Sequence, residues 1–115
     1  MDNETIPLDS SSSASEEPMY ILSLLNNELM SSSWKLVNKD YSIGRSSENN
    51  IILDDITVSR KHALLSVSNE NIKIQDNNST NGIYVNNEIK NDCIIKSGDE
   101  IQIGKYLLLL TEVVK

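Results

Sequence analysis

From Met19 onward the apolar residues fall in short runs separated by Asn, Asp, Ser and Gly. Runs of this length bounded by turn-forming residues predict β-strands, and no apolar stripe at helical spacing competes with them. The pattern predicts strands at 19–25, 33–37, 41–43, 51–53, 63–67 and 72–74, with Ile72-Lys73-Ile74 alternating cleanly before the polar stretch Asp76-Asn77-Asn78. Ile83-Tyr84-Val85 and Glu88-Ile89 flank Asn86-Asn87. That arrangement predicts a two-residue hairpin, because asparagine tolerates the positive φ that such turns require. The segment from Ile101 to Leu107 predicts a second hairpin. Short strands at regular spacing with polar turns predict an all-β fold, a two-sheet antiparallel β-sandwich with no substantial helix.

A chain of 115 residues suits one domain. Residues 1–18 read as a disordered acidic, serine-rich tail and 19–115 as the folded domain, because the first segment has few residues that could bury surface. With 38% hydrophobic and 23% charged residues the composition is that of a soluble globular chain. No apolar run approaches the roughly 18 to 20 residues of a membrane span, and the N-terminus lacks the positive start and apolar stretch of a secretory signal. Cys93 is the only cysteine, so no intrachain disulfide can form. These features predict a protein inside the cell, in the cytoplasm or nucleus. The net charge of −7 argues against nucleic-acid binding, which needs a basic face. One Cys and one His cannot build a structural zinc site, so no metal and no cofactor is expected.

Three loops carry polar residues beyond the needs of a turn. Gly44-Arg45 follows a strand, Ser59-Arg60-Lys61-His62 precedes one, and Asp76-Asn77-Asn78-Ser79-Thr80-Asn81-Gly82 precedes another. In this order and spacing, together with Gly98-Asp99-Glu100-Ile101, they resemble the forkhead-associated (FHA) domain family over roughly residues 19 to 114. The resemblance implies a sandwich of about eleven short strands with a phosphothreonine site built on loops at one end. It assigns phosphopeptide contacts to Arg45, Ser59, Arg60, Thr80 and Asn81, and structural support of the site to Gly44, His62 and Gly82. It also implies that Thr57, Val58 and Asn78 help to read the third position after the phosphothreonine. With no cation at residue 57, a strong acidic preference there is not expected.

The residue chemistry agrees. A phosphate carries about −1.5 to −2 charges near neutral pH and three strong acceptor oxygens. Arg45 offers a planar guanidinium fork suited to it, and Ser59 offers a hydroxyl. Other readings stand beside these. Arg45 and the pair Arg60-Lys61 are also compatible with ordinary solvated surface charge, and Gly44 with a plain strand-ending turn. Trp34, the only tryptophan, reads as core or sheet-edge packing. Ser59 with His62 three residues on raises a hydrolase dyad, but no orienting third group or oxyanion motif accompanies it.

The expected function is therefore a non-catalytic adaptor that binds phosphothreonine-containing proteins downstream of a Ser/Thr kinase, as a monomer. The alternative is a phosphate-independent FHA-like scaffold domain of a larger assembly. Thr5, alone in a flexible acidic context, is a candidate phosphorylation site. Some small bacterial FHA proteins resemble this layout and are switched off when a phosphorylated tail occupies their own site, although Thr5-Ile6-Pro7-Leu8 lacks their doubled threonine. At ~3.3 Å per residue the linker from Thr5 reaches roughly 46 Å, far enough to fold back or to bridge two molecules into a dimer.

Overall fold

The computed structural model describes residues 19–25 and 32–113, and these form eleven strands with no helix among them. In chain order they are β1 (Met19–Leu24), β2 (Ser33–Leu36), β3 (Asp40–Gly44), β4 (Ile51–Ile52), β5 (Ala63–Val67) and β6 (Ile72–Asp76). There follow β7 (Ile83–Val85), β8 (Glu88–Lys90), β9 (Asp92–Ile95), β10 (Glu100–Ile103) and β11 (Tyr106–Val113). Six strands form one sheet in the order β2-β1-β11-β10-β7-β8, and five form the other in the order β4-β3-β5-β6-β9. The expected tail at 1–18, with Thr5, lies outside the described residues.

Side chains alternate across each strand, so period-two sequences divide their residues between core and solvent. In β6, Ile72 and Ile74 are buried while Lys73 and Gln75 are exposed; in β10, Ile101 and Ile103 face inward and Glu100 and Gln102 outward. The space between the sheets is filled by Ile43, Leu65 and Ile74 from one side and Ile83, Ile103, Leu108 and Leu110 from the other. The chain has no phenylalanine, so aliphatic side chains make nearly all of this core. Each one fully buried contributes about 1.5–3 kcal/mol relative to exposure. Trp34 packs against its edge, half-buried.

Both expected hairpins form. Asn86 and Asn87 take φ of 51° and 72° between the paired Val85 and Glu88, and Gly104-Lys105 turns between Ile103 and Tyr106. Two features depart from the sequence pattern. β9 lies at the edge of the five-stranded sheet, where Ile94 is exposed and the alternation is too weak to read from sequence. The sandwich is also not wholly antiparallel, because β4 pairs parallel to β3 through Ile43–Ile51 and Gly44–Ile52. A parallel return normally needs a long crossover. Here β4 has only two residues, and Asn50 ties the short loop back to β3. Its Oδ1 accepts from the Ser42 N–H at 2.9 Å and its own N–H donates to Ser42 Oγ at 3.0 Å.

Candidate functional site

The loops β3–β4, β4–β5 and β6–β7 meet at one end of the sandwich, held by hydrogen bonds that cross between them. The Arg45 N–H donates to the Ser59 carbonyl at 3.0 Å and the Ser46 N–H to the Arg60 carbonyl at 3.2 Å. The backbone at Gly44 lies so close to the neighbouring loop that a Cβ there would sit 2.2 Å from the Arg60 oxygen. Gly44 is buried within β3, so its role is this close approach rather than a strand-ending turn.

His62 is fully buried and braces two of the loops. Its Nδ1 lies 3.0 Å from the Ser59 N–H, a donor, so Nδ1 must accept and the ring proton sits on Nε2. Nε2 then donates to the Gly82 carbonyl at 2.7 Å. Both ring nitrogens are committed to backbone, and neither contacts the Ser59 hydroxyl. Ser59 Oγ instead accepts from the Thr80 N–H at 3.0 Å, which leaves its proton free to donate elsewhere. This geometry does not form a Ser–His dyad.

The five residues expected to touch a phosphopeptide, Arg45, Ser59, Arg60, Thr80 and Asn81, all line one open hollow of ≈ 340 Å³, with Ile56, Thr57 and Val58. Arg45 is half-buried, and its Nε is fixed by the Val58 carbonyl at 3.0 Å. Among the described residues no carboxylate pairs with Arg45, Arg60 or Lys61; the ion pairs there are Lys90–Glu88 and Lys105–Asp55. Two cations without carboxylate partners, Arg45 and Arg60, thus share this hollow in an acidic protein. Asn81 donates Nδ2 to the Thr57 carbonyl at 2.8 Å, leaving Oδ1 and one N–H for a ligand. Gly82 takes φ of 77°, and its N–H donates to Ser79 Oγ at 2.8 Å.

Two supporting groups are not evident from sequence spacing. Asn49, 7% exposed, donates Nδ2 to the carbonyls of Ser46 at 2.9 Å and Arg60 at 2.8 Å, clasping the Arg45 loop to the Ser59 loop. Thr57 is held by Asp55, whose Oδ2 accepts from the Thr57 N–H at 2.9 Å and hydroxyl at 2.6 Å. Those two hydrogen bonds, with the Lys105 ammonium 3.2 Å away, lower the Asp55 carboxyl from its usual 3.8 to about 2. The same ion pair raises Lys105. Thr57 Oγ1 in turn accepts from the Lys105 N–H at 2.9 Å. Thr57 also lines a second hollow that shares Asn81 with the first and runs on to Tyr84 and Gln102. Val58, by contrast, is 1% exposed, so its side chain belongs to the core and only its carbonyl serves the site. Asn78 takes a φ of 51° in the turn and lines neither hollow.

The sequence profile of the FHA domain matches residues 41–104, more than half of the chain. The chain belongs to the FHA family. It is 47% identical over 66 residues to the oxoglutarate dehydrogenase inhibitor of Corynebacterium efficiens, covering 57% of this chain and 46% of that protein. It is 44% identical over 68 residues to the glycogen accumulation regulator GarA of Mycobacterium tuberculosis, covering 59% of this chain and 42% of that one. The chain thus spans just under half the length of these curated relatives. Among solved structures, a domain described under phosphothreonine-dependent FHA domain interactions superimposes with a TM-score of 0.76 at 27% identity, covering 81% of this chain and 95% of that one. The FHA domain of FhaA, solved in complex with the intracellular domain of Rv3910, does so with a TM-score of 0.73 at 27% identity, covering 79% and 98%. The FHA fold is therefore present in full, with its loops assembled at one end. No helix among the described residues is long and apolar enough to cross a membrane.

Proposed function

We propose that this FHA domain binds a phosphothreonine segment of a partner protein and performs no chemical step. The observation that carries the reading is the pairing of Arg45 with Ser59 in one hollow. The guanidinium is anchored at Nε and lines the hollow, and the Ser59 hydroxyl is oriented by the Thr80 N–H so that its proton is free. A tetrahedral dianion suits this set of donors. Arg60 adds charge, Thr80 borders the phosphothreonine methyl group, and Asn81 hydrogen-bonds the peptide main chain. Gly44, His62 and Gly82 hold the loops. The partner class, a protein phosphorylated by a Ser/Thr kinase, follows from that ligand, and the names of the inhibitor and regulator relatives agree with a non-enzymatic role. We place the domain in the cytoplasm, as a monomer.

Phosphorylated Thr5, outside the described residues, is proposed to compete for the same site. A short flexible tether gives an effective concentration in the millimolar range, so weak intrinsic affinity suffices. The test of the main reading is an NMR titration of the labelled protein with a degenerate phosphothreonine peptide library and its unphosphorylated counterpart. Shifts at Arg45, Ser59, Arg60, Thr80 and Asn81 are expected with the phosphorylated library alone. Charge-assisted hydrogen bonds contribute about 1.5–3 kcal/mol each, so Arg45→Ala should weaken binding by at least tenfold with the fold intact. Equal binding of both libraries, or full binding by a folded Arg45→Ala variant, would move the phosphate-independent scaffold into first place.

A further inference from the structure

Asn81 is followed by Gly82, the one Asn-Gly pair in the chain. Without a side chain on the following residue, an Asn-Gly pair is the sequence in which the backbone nitrogen most readily attacks the asparagine carboxamide. Both reacting groups are restrained here. The Gly82 nitrogen, the nucleophile, has its N–H donated to Ser79 Oγ at 2.8 Å. The Asn81 carboxamide, the electrophile, is held by its Nδ2–H on the Thr57 carbonyl at 2.8 Å. Ser79 is itself fixed, its hydroxyl donating to Asp76 Oδ1 and its N–H to Asp76 Oδ2 at 3.3 Å. Asn81 is exposed, so water has access to it.

We propose that Asn81 is a latent deamidation site, shielded in the closed β6–β7 loop by Ser79 and Thr57 and released when that loop opens. Gly82 N bonds to Asn81 Cγ as the Cγ–Nδ2 bond breaks, and the Gly82 proton and the amide nitrogen depart together as ammonia. Water then opens the resulting succinimide. Cleavage between Gly82 N and Cγ leaves aspartate; cleavage between Gly82 N and the main-chain carbonyl leaves isoaspartate, with the backbone rerouted through Cγ. No oxidant or reductant is needed.

The consequence for the domain rests on the peptide-binding reading, although the chemistry does not. Aspartate replaces a donor on the Thr57 carbonyl by a carboxylate and adds negative charge beside the proposed phosphate position. Isoaspartate also lengthens the main chain between Thr80 and Gly82. Those two residues hold the Ser59 hydroxyl and the His62 ring, so both supports of the phosphate donors are displaced.

The experiment incubates the full chain, its Ser79→Ala and Ser79→Thr variants, and a synthetic peptide of residues 76–87 in warm, mildly alkaline buffer. Conversion at Asn81 is followed by peptide-mapping mass spectrometry, with Asn77 and Asn86 as internal comparators. Conversion is expected fastest in the peptide and slowest in the wild-type chain. Ser79→Ala should speed it roughly tenfold, the population ratio that one hydrogen bond controls, and Ser79→Thr should restore protection. A wild-type chain that converts as fast as the peptide, or a Ser79→Ala variant no faster than wild type, overturns the proposal. Because Ser79→Ala could unfold the loop altogether, hydrogen exchange at the Gly82 amide of the wild-type chain gives a second test, and an unprotected amide also overturns it. Deamidated protein separated by ion exchange should lose binding to the phosphothreonine library. If it binds like wild type, the functional consequence is wrong. If wild type does not bind either, the peptide-binding reading has failed while the mass-spectrometric result stands.

Discussion

Replacing His62 by alanine separates a brace from a ligand. The imidazole is 0% exposed and joins the Ser59 N–H to the Gly82 carbonyl, at 3.0 and 2.7 Å. Alanine leaves both backbone groups without a partner. Each costs about 1–3 kcal/mol when left unsatisfied in the interior, and the void left by the ring adds to that. The two groups together cost about 2–6 kcal/mol before the void is counted, a large share of the roughly 5–15 kcal/mol that holds a domain of this kind folded. The melting temperature should fall by roughly 10–40 °C. Urea unfolding followed through the fluorescence of Trp34, half-buried against the core, measures the change directly. Arg45→Ala is the comparator: its guanidinium gives the fold one part-buried, charge-assisted hydrogen bond, to the Val58 carbonyl, so it should cost no more than about 3 kcal/mol. A His62→Ala protein within about 1 kcal/mol of wild type would refute the reasoning, because two orphaned groups around a buried ring position cost more than that.

Gly44→Ala should be more damaging than a usual glycine-to-alanine change. Its Cβ would lie 2.2 Å from the Arg60 oxygen and 2.8 Å from Asn49 Nδ2, so β3 and the Ser59 loop must part; loss of both stability and peptide affinity is expected in urea and anisotropy titrations. The Asp55 carboxyl is lowered in the fold to about 2 from 3.8, so the stability it contributes is fully present above 3.8 and is lost as pH falls toward 2. Asp55→Asn should therefore differ from wild type near neutral pH and converge with it at the acid end; a constant difference across the range would contradict the assignment. Phosphorylation of the full chain at Thr5 should reduce binding of a labelled phosphothreonine peptide, and Thr5→Ala should abolish that reduction. Unchanged binding after confirmed phosphorylation would remove the tail from the mechanism.

Much of this molecule is legible in its sequence because its strands alternate and its turns use residues suited to positive φ. Asn86-Asn87 predicts its hairpin, and the three motif loops carry the five residues that the fold gathers into one hollow. The parts that are not legible depend on partners distant in the chain. β9 is an edge strand that buries Ile95 but exposes Ile94, so its pattern is ambiguous until β6 lies beside it. The parallel β3–β4 pairing depends on an asparagine side chain bonding a serine eight residues earlier. Asn49 reads as one more polar loop residue, yet it is buried between two carbonyls on different loops. The tie from Lys105 through Asp55 and Thr57 to Asn81 spans three separate segments. Val58 adjoins the Ser59 motif, where a role in reading the peptide is expected, and its burial shows that such a position can serve the core instead of the ligand.

The strand order also constrains how the protein can be made. The five-stranded sheet draws all its members from residues 40–95, so it can assemble as soon as that stretch has left the ribosome. The six-stranded sheet is different: β1 pairs with β11 from Met19–Val113 to Leu24–Leu108. At roughly 5–20 residues per second, β1 and β2 wait on the order of 5–20 s for that partner, exposing a strand edge throughout. Pairing across so great a separation is slow in itself. Nascent chains should therefore be most prone to misassociate in this interval, with the loops of the candidate site already largely formed and the opposite sheet still open.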